Sequence, residues 1–173
     1  MSFLQNEEMD VSPIQHHTTH VCTEVFWAEG QLESLGDPTL YINQDDLSYL
    51  RFQESHVTPW TYSGLPTSRP SETLINRGNA HLIYFPDEET MDLYKAPPKS
   101  VSVVFYFPLF IVQAQAPLLS EAKFENFIDF WKGVFLPVRD ASIHFLVSGP
   151  NTLPHDAPLL YLNRQHIQGY VRP

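Results

Sequence analysis

The pair Asn-Arg occurs twice in this 173-residue chain, each time within apolar residues of the kind that form β-strands. The first pair lies in LINRGNAHLIYF at residues 74–85, and the second lies in YLNRQHIQGYV at residues 161–171. Asn-Arg-Gly-Asn is turn chemistry, because glycine and asparagine tolerate positive φ angles. The pattern predicts a short strand, a tight turn and another short strand in each half. The second turn lacks glycine, so its geometry is expected to differ.

The segments that precede the two pairs also correspond. Residues 49–60 match residues 135–146 at an offset of 86 residues, and the Asn-Arg pairs are 87 residues apart. Further upstream, residues 24–32 match residues 103–111. Matched pieces in the same order predict an internal duplication. The alternative is that two hairpins of an all-β protein simply look alike.

The duplication predicts a mainly β protein with two tandem, small β-barrel-like repeats related by a pseudo-twofold axis. One inserted helix is expected at about residues 120–132, because Ser120 can cap a helix and the apolar residues after it recur at helical spacing. These residues are Phe124, Phe127, Ile128 and Trp131. The predicted parts are a polar N-terminal arm, a first repeat, a linker and a second repeat with the helix, at residues 1–19, 20–85, 86–99 and 100–173.

Charge and composition narrow the expected partners. The chain carries ten Lys and Arg against twenty Asp and Glu, a formal net charge of −10, and its basic residues are scattered singly. Nucleic acids and anionic membranes bind clustered cations, so neither is an expected partner. No apolar run approaches the ~20 residues of a membrane span, and the acidic N-terminus is unlike a signal peptide. A cytoplasmic location is therefore expected.

The order of these pieces resembles the Sm-like family of small five-stranded β-barrels. Residues that match the family's glycine strand and first motif are Gly30, Leu32, Asp45, Tyr49, Leu50, Phe52 and Ser55. Those that match its second motif are Ile75, Arg77, Gly78, Asn79, Leu82 and Ile83. The second half keeps Leu136, Val138, Asp140, Ala141, Leu162, Arg164 and Ile167 but lacks the glycine. The chain is also similar to short bacterial domains of unknown function that carry an Asn-Arg strand signature.

The resemblance implies a tandem Sm-like protein and, by the family's activity, RNA binding. The family's RNA-contacting Asn falls at Tyr49 and Phe135, where aromatic rings can still stack on bases. Equivalent arginines on two related barrels can also bind a carboxylate or phosphate. In the alternative interpretation, each arginine pairs with a nearby acid or with the carbonyls of its own turn. The candidate ligand-binding residues are Tyr49, Asn76, Arg77, Phe135, Asn163 and Arg164.

The segment HHTTH contains His16, His17 and His20. Histidines four residues apart share one face of a helix and can hold Zn²⁺, but two threonines disfavour a helix and the general-base Glu of the known motif is missing. His16 and His20 are therefore weak metal candidates, and no cofactor is predicted. The chain has no nucleophile elbow and no Gly-rich phosphate loop, so no catalytic residue is assigned.

Three functions fit these observations. The prediction is a non-enzymatic protein-interaction or assembly module, a structural or adaptor subunit that binds protein partners or its own copies through strand edges. The first alternative is an Sm-like RNA-binding protein. The second is a small anionic ligand-binding protein, or an enzyme, with a site between the two repeats.

Overall fold

The computed structural model describes residues 13–118 and 123–173, and these residues are mainly β. Ten strands join in one open antiparallel sheet. The strands are β1 (Ile14–Thr23), β2 (Phe26–Leu35), β3 (Tyr49–Pro59), β4 (Glu72–Asn76), β5 (Ala80–Tyr84), β6 (Ser100–Tyr106), β7 (Phe110–Pro117), β8 (Phe135–Phe145), β9 (Asp156–Asn163) and β10 (Gly169–Val171). Between them lie the short helices α1 (Pro38–Tyr41), α2 (Glu88–Met91) and α3 (Phe127–Phe130). None of the helices in the described residues is long and apolar enough to cross a membrane.

The strand order is β10-β6-β7-β8-β9-β5-β1-β2-β3-β4. In the N-terminal half, the first four strands follow one another and the fifth returns beside the first. The C-terminal half has the same internal order. The halves meet where β9 pairs with β5, and we call this pairing the seam. The strands β4 and β10 form the two ends of the sheet, and we call them the free edges.

Alternation of buried and exposed side chains explains why a segment such as β6 forms a strand. In β6, Val101, Val103 and Phe105 are buried while the residues between them are partly exposed. A period of two places every second side chain on one face of a sheet, so each such strand buries one face. The alternation in β6 is therefore the signature of a strand whose other face meets solvent.

Two hydrophobic clusters form the core, and each contains residues of both halves. One cluster places Trp27, Trp60 and Leu82 of the N-terminal half among buried residues of the C-terminal half. The other places Phe135 and Tyr161 of the C-terminal half among buried residues of the N-terminal half. Because burial of apolar surface is the main stabilising force, the two halves stabilise each other.

Residues 14–19 were assigned to the polar arm from their composition, but they form the first part of β1 instead. They pair with β2, from Ile14 opposite Leu35 to Thr19 opposite Gly30. Their polar character is explained by exposure, since residues 14–16 are exposed to solvent. An antiparallel strand with a solvated face needs few apolar side chains, so composition alone concealed it. The other arm residues, 1–12, lie outside the described part of the chain.

The helix predicted at about residues 120–132 is much shorter. A 3₁₀ turn at Phe124–Asn126 leads into α3, and residues 119–122 lie outside the described residues. Trp131 already has an extended backbone, with φ −76° and ψ 120°. Its indole N–H donates a hydrogen bond to the carbonyl of Phe135 at 3.0 Å. This local contact lies beyond the end of α3, where helical spacing predicts continuation of the helix.

The match of residues 24–32 with residues 103–111 is wrong. The first segment covers a turn and most of β2, the second strand of its half, whereas the second covers the end of β6, the first strand of its half. By place in the sheet, β2 corresponds to β7. Both strands have a register shift toward the next strand, between Glu29 and Gln31 and between Gln113 and Gln115. Neighbouring apolar strands look alike in sequence, so β2 was matched with the end of β6 instead of with β7.

Candidate functional site

Both Asn-Arg pairs lie at the connection from the fourth to the fifth strand of their half. Each connection is one 3₁₀ turn, capped by the asparagine that precedes it. The side-chain Oδ1 of Asn76 accepts a hydrogen bond from the Gly78 N–H (2.8 Å), and that of Asn163 accepts one from the Gln165 N–H (3.0 Å). Gly78 does not have a positive φ, so glycine is not needed for this geometry. The expectation that the second turn differs for want of glycine is wrong.

Arg77 is bonded to the backbone that precedes β3. Its backbone N–H donates to the Ser48 carbonyl (3.0 Å), and its Nη1 donates to the carbonyls of Ile42 (3.2 Å) and Gln44 (2.5 Å). Burial lowers the pKa of the guanidinium, an effect that the nearby carboxylates of Asp45 and Asp46 oppose. The side chain therefore holds the β2–β3 connection in place.

Arg164 makes the corresponding contacts in the C-terminal half. Its backbone N–H donates to the Val134 carbonyl (3.0 Å), just before β8, and its Nη1 donates to the Ile128 carbonyl (3.4 Å). Each arginine thus bonds the connection between the second and the third strand of its half. Each guanidinium bonds backbone carbonyls, as the structural interpretation expects, but these carbonyls belong to the connection between the second and third strands and not to the arginine's own turn.

The two aromatic candidates differ in exposure. Tyr49 opens β3 and is 53 % exposed, whereas Phe135 opens β8 and is completely buried. The backbone N–H of Phe135 donates to the side-chain Oδ1 of Asn43 (2.8 Å), which lies in the N-terminal half. Only Tyr49 offers its ring to solvent. Phe135 is part of the contact between the halves.

At the seam, β9 lies against β5 with Leu162 opposite Leu82 and Tyr161 opposite Ile83. Asn163 is completely buried there. Its Nδ2 donates to the Ala80 carbonyl at 2.8 Å and lies 3.4 Å from the Gly78 carbonyl. The Asn163 side chain therefore caps its own turn with the oxygen and bonds the other half with the nitrogen.

Two histidines from opposite halves stack at the end of the seam. The rings of His81 and His166 have centroids 4.1 Å apart, and Nε2–H of His166 donates to the Gly78 carbonyl. His81 is 2 % exposed, and its Nδ1 is buried without a hydrogen-bond partner. Burial, assisted by repulsion from His166, lowers the pKa of His81 to about 4. His81 is therefore neutral at neutral pH.

Sequence reasoning did not find this pair. The two histidines stand far apart in the chain, and although each lies in one of the two segments that contain an Asn-Arg pair, neither has the spacing of a catalytic or metal-binding motif. The strand pairing of β5 with β9 brings them together. That pairing leaves no local signal in the sequence.

The free edge at β4 displays groups that the seam buries. The Arg77 N–H bonds the Ser48 carbonyl, and bonding alternates along an antiparallel pair, so the backbone N–H and C=O of Leu74 point away from β3. The Leu74 side chain is 52 % exposed and Asn76 is exposed as well. The strand β4 therefore offers an unpaired edge. The other free edge, β10, is paired on one side with β6.

A cavity of about 250 Å³ lies beside β4. Its wall is formed by the β1–β2 turn at Thr23–Phe26, by Leu74–Asn76 of β4, and by Asn79, His81 and His166. The lining mixes apolar side chains with carboxamides, and Glu24 supplies a carboxylate. The arginine candidates Arg77 and Arg164 do not line this cavity.

The weak metal candidates are held apart by the strand that contains them. His16 and His20 both lie in β1, where a rise of about 3.3 Å per residue separates them by about 13 Å. His16 lies 3.6 Å from Glu33, whereas His20 packs edge-on against Trp27 and Tyr84. Within residues 13–118 and 123–173, no group of three or more His, Cys, Asp or Glu side chains is placed to hold a metal ion.

In the comparisons with known proteins, no family model, no curated protein and no solved structure matches the chain.

Proposed function

We propose that the chain is a tandem pair of Sm-like β-units that works as a non-enzymatic assembly module, a structural or adaptor subunit of a larger complex. In this proposal each half is one five-stranded unit. The seam joins the two units within the chain, and the free edges join the chain to other proteins. Strand addition at an open sheet edge is a common mode of protein recognition.

Matching backbone details in the two halves support the tandem repeat. Both halves have the same strand order, with the fifth strand beside the first. Glu54 in β3 and Asp140 in β8 both have a φ of 49°, which is rare for residues other than glycine. They stand 86 residues apart, at the offset of the matched strands. This shared irregularity supports duplication over a chance likeness of two hairpins.

The difference between Asn163 and Asn76 is the observation that carries the proposal. The two residues cap equivalent turns, but Asn163 is completely buried by strand pairing and Asn76 is exposed. The neighbouring positions differ in the same way, because Tyr161 is 2 % exposed and Leu74 is 52 % exposed. The edge of β4 thus displays the groups that pairing covers in β9. A strand added to β4 would cover them in turn.

The type of edge pairing also bears on the kind of assembly. The two free edges come from different strands, so an interface between β4 and β10 is heterologous. Heterologous interfaces close into rings when the rotation between subunits allows it, and otherwise form open filaments.

Substitution of Leu74 by proline tests the use of the β4 edge. The Leu74 N–H points away from β3, so Leu74→Pro removes one outward donor and leaves the bonds between β3 and β4 in place. Leu74→Thr is the matched control, because it shortens the apolar side chain and keeps the donor. We expect native mass spectrometry of the protein from its own cells to show bound chains for the wild type and Leu74→Thr, and the free chain for Leu74→Pro.

Two results would contradict the proposal. One is a wild-type protein that is recovered from its own cells as a free monomer at micromolar concentration. The other is a Leu74→Pro variant that folds, as judged by circular dichroism, and keeps the same bound chains as the wild type.

A further inference from the structure

We infer that the cavity beside β4 receives the side chain of Gln168 from a second copy of this chain, where it pairs with Asn79. This inference rests on the proposed function and names the partner of the β4 edge. It also assigns a role to the open cavity, whose wall includes His81 and His166 from the end of the seam.

The seam provides the template for this contact. His81 follows the first residue of β5 and inserts between the C-terminal half's His166, at 4.1 Å, and Phe107, at 6.5 Å between ring centroids. It is 2 % exposed in that position. A side chain from the start of a fifth strand thus fills the space beside the fourth strand of the neighbouring half.

At the two free edges, the residues equivalent to His166 and His81 have no partner strand beside them. The 87-residue offset between the Asn-Arg pairs relates His166 to Asn79 and His81 to Gln168. Asn79 lines the open cavity of about 250 Å³, and both Asn79 and Gln168 are exposed. At the seam, His81 occupies the equivalent space. If a second copy pairs with β4 as β5 pairs with β9, its Gln168 side chain therefore enters the cavity.

Within each pair of positions, at the seam and at the free edges, the two side chains carry the same functional group. The seam joins two imidazoles, whereas the free edges present two carboxamides, Asn79 and Gln168. A carboxamide has both donors and an acceptor, so two of them can bond each other in a polar pocket. The backbone N–H of Gln168 bonds the Tyr106 carbonyl (2.8 Å), but its side chain is lightly held in the single chain, where Nε2 lies 3.4 Å from the His166 carbonyl. Glu24 in the cavity wall makes the pocket favour a neutral or cationic side chain.

The same template sets the register of the two copies. The seam pairs Tyr161 with Ile83, so Leu74 of one copy lies opposite Tyr170 of the other. The Nδ2 of Asn76 then donates to the Ile167 carbonyl of the second copy, as Asn163 donates to the Ala80 carbonyl at the seam. A second copy in this register would therefore both accept the hydrogen bond of Asn76 and fill the cavity.

Cysteine cross-linking between two purified variants tests the contact. Asn79→Cys and Gln168→Cys are mixed and treated with a mild oxidant or a short bis-maleimide. The native Cys22 is buried and stays unreactive. We expect cross-linked dimers in the mixture and none with either variant alone. The control mixture of Leu35→Cys with Gln168→Cys places one thiol at the exposed end of β2, at the other end of that strand from Phe26 of the cavity wall, and should give no specific product.

Charge substitutions at Gln168 provide a second measurement. Gln168→Glu faces Glu24 across the interface and should weaken self-association about fivefold, whereas Gln168→Lys should strengthen it by a similar factor. Glu24→Gln should remove most of the difference between the two variants. Sedimentation velocity at several concentrations gives the association constants.

The inference is overturned if the mixture gives no cross-link while the chain self-associates, or if both charge variants associate like the wild type. It is also overturned if the purified chain is monomeric while Leu74→Pro loses a different bound protein in its own cells. In that last case the proposed assembly function stands, because a partner other than a second copy uses the β4 edge.

Discussion

Asn76 and Asn163 show how one residue type supports the same turn in two environments. Each caps a 3₁₀ turn with its side-chain oxygen. Asn163 is completely buried and also bonds the Ala80 carbonyl, whereas Asn76 is exposed. Removal of either asparagine side chain would break the hydrogen bond that caps its turn. Removal of the Asn163 side chain would also leave the Ala80 carbonyl without its hydrogen-bond donor.

The two alanine variants should therefore differ in stability. Asn76→Ala should lower the free energy of unfolding by about 1 kcal/mol, the usual cost of a lost cap. Asn163→Ala should lower it by about 3 kcal/mol, because the Ala80 carbonyl also becomes unsatisfied inside the protein. Urea unfolding of dilute protein, followed by circular dichroism, measures both values. Equal losses in the two variants would contradict the assigned role of Asn163.

His81 makes stability depend on pH. Its pKa is about 4 in the folded protein and near 6.5 in the unfolded chain, mainly because burial disfavours the charged ring. As the pH falls below 6.5, the unfolded chain takes up the proton first, so the folded state loses stability until the pH reaches about 4. With solvent screening taken into account, the loss from this residue is about 2 kcal/mol.

The variant His81→Gln isolates this contribution. We expect its unfolding free energy to fall less steeply than that of the wild type between pH 6.5 and pH 4.5, because glutamine does not titrate. His17 and His20 also have lowered pKa values through burial, and they remain in both proteins. Their contribution cancels in the comparison. Parallel pH profiles would show that His81 is not the titrating group.

At the scale of elements, Gly30 marks the irregularity between β2 and β3. The register shifts between Glu29 and Gln31, and a Cβ on Gly30 would lie 3.0 Å from the Cα of Ser55 and 3.1 Å from the Gln53 carbonyl oxygen. These contacts involve backbone atoms, which cannot move away as a flexible side chain can. The glycine therefore permits close approach of the two strands.

Gly30→Ala should lower the free energy of unfolding by about 1–3 kcal/mol, through displacement of one strand from the other. Gly169→Ala is the control, because a Cβ at that position meets no atom within 4 Å. We expect the control to stay within about 0.5 kcal/mol of the wild type. Thermal unfolding of both variants checks the comparison. A Gly30→Ala protein as stable as the control would show that the strands separate without cost.

At the scale of the whole molecule, the two halves share their cores. Trp27 and Trp60 pack among residues of the C-terminal half, and Phe135 and Tyr161 pack among residues of the N-terminal half. Neither half can lose its structure without exposing apolar surface of the other. The internal repeat we propose is thus one folding unit.

A single cooperative unfolding transition should follow from the shared cores. Tryptophan fluorescence reports the hydrophobic cluster that contains Trp27 and Trp60 and against which Trp131 packs, and far-ultraviolet circular dichroism reports the whole sheet. We expect the two signals to change at the same urea concentration. Two separate transitions, or a fluorescence change that precedes the loss of β-structure, would mean that the halves unfold independently.

Local chemistry explains which parts of the fold were predictable. Alternating apolar residues identified the mainly β class, and the Asn-Arg pairs located the turns before β5 and after β9. Strand β1 and the length of α3 were missed for two reasons. A solvated strand carries few apolar residues, and the helix ends where Trp131 bonds the Phe135 carbonyl. Of the candidate site residues, the arginines and asparagines were located by the same pattern, but their partners were not.

The sequence by itself determined the period-two strands, the capped turns and the absence of clustered positive charge, because each depends on residues that are neighbours in the chain. Tertiary structure alone decided which edges meet. It buried Asn163 and left Asn76 exposed, stacked His81 on His166, and opened a cavity beside β4. The physical reason is that strand pairing between distant segments is set by the sum of many weak contacts, and no short stretch of sequence contains that sum.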